Sequence, residues 1–192
     1  MTTSLDLIRH GTPEGGNRYR GHSIDDPLSE KGWQQMNHAV EGLVPWDVIV
    51  SSPMKRCSAF AQSYAVKHHL QLSIDDDLKE IGFGAWEGRS SAEVLAEDPA
   101  AIHNFYHDPV TYRPDGAEPV DAFLSRVGDC LDSITEKFTD KRILIVAHAG
   151  VLRAAIAHTL GAPASAMYRI SIGNAAIINI QDDGVRPPTL KL

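Results

Sequence analysis

The stretch "RILIVAHAGVLRAAIAHTL", residues 142 to 160, changes its hydrophobic period part-way along. "RILIVAH" is a continuous apolar run of strand length, and after Ala149 and Gly150 "VLRAAIAHTL" takes on helical spacing. Two more segments repeat the pattern. "SLDLI" (4 to 8) leads through a loop into "SEKGWQQMNHAVEGL" (29 to 43), where Ser29 is placed to cap a helix interrupted by Gly32. "WDVIVS" (46 to 51) is followed by Ser52 as N-cap, Pro53 at the first helical position and a helix to about His69. Cys57, Phe60, Ala61, Tyr64 and Ala65 form the core-facing stripe of that helix.

Strands that alternate with helices and are apolar on both faces specify an α/β fold with a largely parallel sheet. The expected architecture is a three-layer sandwich, its mostly parallel central sheet carrying one antiparallel strand and helices on both faces. "LQLSID" (70 to 75) adds an edge strand, and "MYRISI" (167 to 172) with "AAIINI" (175 to 180), joined by "GN", reads as a hairpin. From about Ser90 to Asp140 the pattern is polar and helical, broken by "DPVTYRPDGAEP" (108 to 119), so a helical and loop cap is expected at about residues 90–120 of one 1–192 domain.

With 18 basic and 25 acidic residues the net charge is -7, which argues against general attraction to nucleic acid or an anionic membrane. No apolar run approaches the roughly 18 residues of a membrane span, and "MTTSLDLIRH" has no signal-peptide pattern; a cytoplasmic protein, monomer or homodimer, is expected. Cys57 and Cys130 sit on apolar helical patterns as small buried residues.

Ligands of open α/β sheets bind beyond the carboxyl ends of the strands. There this chain places "RHG" (9 to 11), "SSPMKR" (51 to 56) and "HAG" (148 to 150). Arg9 and Arg56 can pair with phosphate oxygens in a planar fork whose charge does not titrate near neutrality. His10, held neutral with one ring nitrogen donating to a fixed acceptor, can attack phosphorus through the other. His148 is expected on the transferring oxygens. Glu80, in "LKEIGFGAWEG" (78 to 88), is the candidate acid for the leaving alkoxide, with Glu87 as competitor. Gly11, Arg20, Gly21 and Ala149 complete the expected contacts, Gly11 by letting backbone approach the substrate.

Other patterns carry less. "GFGAWEG" has the wrong glycine spacing for a dinucleotide loop, and "HNFYH" (103 to 107) lacks the glutamate of a zinc protease helix. No cofactor and no metal are expected.

"LIRHGTP", "SSPMKRC", "LKEIGFGAWEG" and "VAHAGVLR" resemble, in order and spacing, the motifs of the histidine phosphatase superfamily, in the branch of cofactor-dependent phosphoglycerate mutases and small phosphatases. The resemblance implies a metal-independent phosphomonoesterase of small phosphate esters. His10 is then the phosphorylated nucleophile, Arg9, Arg56 and His148 its phosphate pocket, and Glu80 the proton donor. "GGNRYRGHSIDDPLSEKGWQQM" (15 to 36) and "SSPMKRCSAFA" (51 to 61) are most similar to α-ribazole phosphatases, which act in assembly of the cobalamin nucleotide loop. The chain departs from the family at Thr12 and in the loop after it, where Asn17 would take the place of a phosphate-contacting asparagine at a spacing shifted by one. A broad-specificity phosphatase and an inactive phosphoester-binding adaptor are the alternatives.

Overall fold

A computed structural model describes residues 2–43 and 45–191. Among them, β1 (Thr3–Arg9), β2 (Val48–Ser51), β3 (Gln71–Ile74), β4 (Arg142–Ala147), β5 (Ile177–Asp182) and β6 (Thr189–Lys191) form one sheet in the order β3-β2-β4-β1-β5-β6. The pairings among β1 to β4 are parallel, and β5 alone runs against its neighbours.

Strand alternation sorts the core into two layers. Leu5, Leu7, Val48, Val50, Ile143 and Ile145 pack against α5 (Val120–Lys137) and α6 (Ala149–Thr159). Ile8, Ile49, Leu144 and Val146 pack against α1 (Glu30–Val40) and α2 (Lys55–His68). Both faces of β4 are therefore covered, which explains its unbroken apolar run. In α5 the buried Val120, Phe123, Val127, Cys130, Leu131 and Ile134 recur at three- and four-residue steps, the stripe of a core-facing helix. Two short helices, α3 (Ser91–Glu97) and α4 (Ala101–His107), share a smaller cluster of Trp86, Val94 and Phe105 with Tyr19, Phe83 and Tyr168.

Ser29 does cap α1, accepting from the Gly32 amide, but the helix ends at Val40 and runs unbroken through Gly32. The missing side chains of Gly11 and Gly32 let the Thr12 loop press on the first turn of α1; a Cβ on either would collide with backbone of the other segment. Gly11 thus serves packing against α1.

Three expectations are corrected. Helix α2 starts at Lys55, two residues beyond Pro53, and its N-cap Met54 provides no side-chain bond. Ser52 is occupied otherwise, its hydroxyl accepting from the Met54 amide at 3.3 Å and pairing with His148 at 2.8 Å. "MYRISI" is no strand: residues Ala164–Arg169 form a 3-10 helix, and the hairpin joined by "GN" does not exist. Carbonyls that a strand would give to a neighbour go to arginines instead, Ile170 to Arg153 and Ile172 to Arg9. Strand β5 pairs with β1 and with the unforeseen β6.

One buried carboxylate lies mid-sheet. Asp6 in β1 is 4% exposed; it accepts from Trp46 Nε1 at 2.7 Å, Arg142 Nε at 2.8 Å and Asn179 Nδ2 at 2.7 Å.

Candidate active site

Strand register assembles the centre. Arg9 is level with Ala147 across β1 and β4, and Ser51 with Val146 across β2 and β4. The residues that follow, His10, His148 and Ser52, therefore emerge side by side at the carboxyl edge. The His10 amide donates to the Ala147 carbonyl at 2.9 Å, and the two imidazoles meet edge to face at 5.3 Å.

His10 Nδ1 lies 2.7 Å from the Gly11 carbonyl oxygen. A carbonyl only accepts, so Nδ1 carries the proton and Nε2 keeps its lone pair. Burial, then the charge of Arg56, drive the His10 pKa down to about 3, against the pull of the Gly11 bond. The ring is neutral at physiological pH, the state a nitrogen nucleophile requires.

Arg56 is 1% exposed, yet no carboxylate among the described residues pairs with it. It donates through Nε to His148 Nδ1 at 3.3 Å, through Nη1 to the Ile24 carbonyl at 2.9 Å and through Nη2 to the Gly21 carbonyl at 2.7 Å. These bonds fix the guanidinium while each Nη keeps a second hydrogen for a ligand. Because His148 Nδ1 accepts from Arg56, its Nε2 donates to Ser52. His148 is wholly buried, and burial with Arg56 beside it holds its pKa well below the usual histidine range. It stands behind the cleft lining as a brace between Arg56 and Ser52.

The cleft itself has about 210 Å³ of solvent-accessible space, lined by Arg9, His10, Arg18, Tyr19, Arg20, Gly21, Arg56, Glu80, Phe83, Phe105, Tyr106, Ala149, Arg153 and Tyr168. Of the residues expected from sequence, Arg9, His10, Arg20, Gly21, Arg56, Glu80 and Ala149 come together here. Asn17 is exposed and lies outside the lining. Glu87 is a brace: it accepts from the Phe83 amide at 2.8 Å and from the amide and hydroxyl of Ser23.

Arg9 donates through Nη1 to the Ile172 carbonyl at 2.6 Å. Its pKa is lowered by burial and by Arg153, with Glu80 opposing. Arg18 and Arg20 share Asp26, whose carboxylate they hold below the usual range against the cost of burial. Glu80 sits at the start of α6, accepting from the Gly150 amide at 3.2 Å and from its neighbour Ile81 at 3.0 Å. A Cβ at Gly150 would collide with Glu80 Oε1. The bare first turn of α6 is therefore the socket of the carboxylate. Among the described residues no group of three or more His, Cys, Asp or Glu is arranged to hold a metal.

The family model of the histidine phosphatase superfamily, branch 1, matches residues 5–191. The chain belongs to the histidine phosphatase superfamily. Among its relatives in the superfamily, a bifunctional protein of Mycobacterium tuberculosis is 32% identical over 179 residues, 91% of this chain but 49% of that protein, so the chain spans about half of that relative's length. The adenosylcobalamin/alpha-ribazole phosphatase of Escherichia coli is 30% identical over 172 residues, covering 88% of this chain and 84% of its own. A mycobacterial glucosyl-3-phosphoglycerate phosphatase solved with VO3 superposes with a TM-score of 0.88 at 27% identity, covering 98% of this chain and 97% of its own.

Sequence reasoning overlooked Arg153, Tyr168, Phe105, Tyr106, Phe83, Tyr19 and Arg18. Only Arg153 carried a usable signal, since it falls one helical turn after "HAG" on α6. The aromatic wall comes from α4, the 3-10 helix and two loops, which nothing in the linear sequence brings together.

Proposed function

We propose that this chain is a metal-independent phosphomonoesterase that works through a phosphohistidine on His10. The observation that carries the reading is the His10 tautomer: Nδ1 is committed to the Gly11 carbonyl, so Nε2 is left as a free nucleophile in a cleft lined by arginines. Nε2 attacks phosphorus in line, forming the N–P bond as the ester P–O bond breaks. Arg9 and Arg56 hold the equatorial oxygens as charge develops, and Glu80 passes its proton to the departing alkoxide. Glu80 then takes a proton from water, whose oxygen displaces His10 and releases inorganic phosphate.

Two readings of the alcohol half have support. Similarity to the Escherichia coli relative and the aromatic wall of Tyr19, Phe83, Phe105, Tyr106 and Tyr168 favour α-ribazole 5′-phosphate, whose base would stack there. The surplus of arginines favours esters whose alcohol half is itself acidic. Rapid quench of wild type with p-nitrophenyl phosphate, analysed under alkaline conditions by mass spectrometry, is expected to find phosphate on His10 only during turnover. Robust turnover by His10→Ala would overturn the mechanism. Comparison of kcat/KM across α-ribazole 5′-phosphate, sugar phosphates, nucleotides and phosphoglycerate separates the substrate readings.

A further inference from the structure

Five guanidiniums line the cleft, against the carboxylates of Glu80 in the lining and Asp26 behind it. A phosphate dianion would offset only part of this excess. The unspent charge has a definite place. Arg153 stands one turn after Gly150 on α6, the helix whose Gly150 amide binds the Glu80 carboxylate. It therefore lies on the Glu80 side of the cleft.

Its geometry is that of a receptor held ready. Arg153 Nε donates to the Ile170 carbonyl at 2.9 Å, and its guanidinium lies 5.2 Å from the centre of the Tyr168 ring. Both terminal nitrogens have no partner among the described residues, and the side chain is half-buried in the lining. The anchored Nε and the stacked face leave a two-pronged fork, the arrangement that matches a planar carboxylate. Beside it, the Tyr168 hydroxyl is buried and has no hydrogen-bond partner. An unpaired buried hydroxyl is costly and calls for a partner supplied on binding.

We infer that Arg153 and Tyr168 form a subsite for a carboxylate on the alcohol half of the substrate, resting on the phosphatase reading above and choosing the acidic class of ester within it. The fork takes the two carboxylate oxygens, and the Tyr168 hydroxyl donates to one of them. Substrate selection then follows from a group remote from the P–O bond that breaks.

The test compares 3-phosphoglycerate with glycerol 3-phosphate, which differ by a carboxylate against a hydroxymethyl group, with p-nitrophenyl phosphate as a control. Wild type is expected to prefer 3-phosphoglycerate in kcat/KM by roughly 10- to 100-fold. Arg153→Met should bring that ratio near one, with p-nitrophenyl phosphate turnover measuring any general loss, and Arg153→Lys should restore part of the preference. Tyr168→Phe should lower the ratio by about five-fold. No preference in wild type, or a preference that survives Arg153→Met, overturns the subsite. If wild type hydrolyses none of the three esters, it is the phosphatase reading that fails.

Discussion

Strand β1 carries two buried polar centres three residues apart, and they are treated in opposite ways. Mid-strand, Asp6 is surrounded by Trp46, Arg142 and Asn179, three donors on its two oxygens. At the strand's end, Arg9 has a buried Nε with no hydrogen-bond partner among the described residues, and its Nη1 donates only to a carbonyl. Tyr168, across the same cleft, has the other orphan among the described residues. The protein can satisfy buried polar atoms fully, as it does at Asp6, so the unsatisfied ones at the cleft mark where a ligand completes the structure. One centre is closed within the protein and the other leaves polar atoms unpaired at the cleft.

The contrast can be broken most sharply at Arg9. Arg9→Met is expected to lower kcat/KM on p-nitrophenyl phosphate by about 10²- to 10³-fold, while the unfolding free energy from urea titration moves by no more than about 1 kcal/mol. A large stability loss would mean that Arg9 is a structural residue like Asp6. Asp6→Ala should do the reverse. Leaving Arg142, Trp46 and Asn179 without their common acceptor is expected to cost about 3 kcal/mol in the same titration, with kcat/KM of the folded enzyme within two-fold of wild type. A parallel loss of activity would join the two centres into one. A further effect is in pH, spread over several units. Unfolded histidine takes up its proton near 6.5, but native His10 does so only near 3, so stability should fall as pH drops between those values. The slope from this group reaches at most about 1.4 kcal/mol per pH unit, and His10→Gln should flatten it while leaving stability above pH 7 little changed. An unchanged slope in His10→Gln would remove the unprotonated nucleophile from the cleft's account.

Much of this organisation was legible in the sequence because burial on both faces imposes unbroken apolar runs, and parallel strands bring their carboxyl ends together. That logic located Arg9, His10, Arg56 and the edge on which His148 stands. It failed where side chains replace secondary structure as hydrogen-bond partners. "MYRISI" alternates like a strand, yet Ile170 is bound by Arg153 and Met167 is sunk in the core between α5 and α6. "SSP" looks like a helix start, yet Ser52 serves His148. His148 fell on the expected edge but faces Arg56 and Ser52, a distinction of rotamer that spacing does not encode. The aromatic wall was unreadable because Phe105 and Tyr106 meet Tyr168 only through packing of α4 against the 3-10 helix.

The bare first turn of α6 has a consequence for how this chain can vary over time. Glu80 and Gly150 are seventy positions apart, but the carboxylate of one fills the space that a side chain on the other would need. The two positions therefore act as a single heritable unit. A chain that acquired even alanine at 150 would displace its acid without any change at 80, and a chain that lost the acid would be free to fill 150.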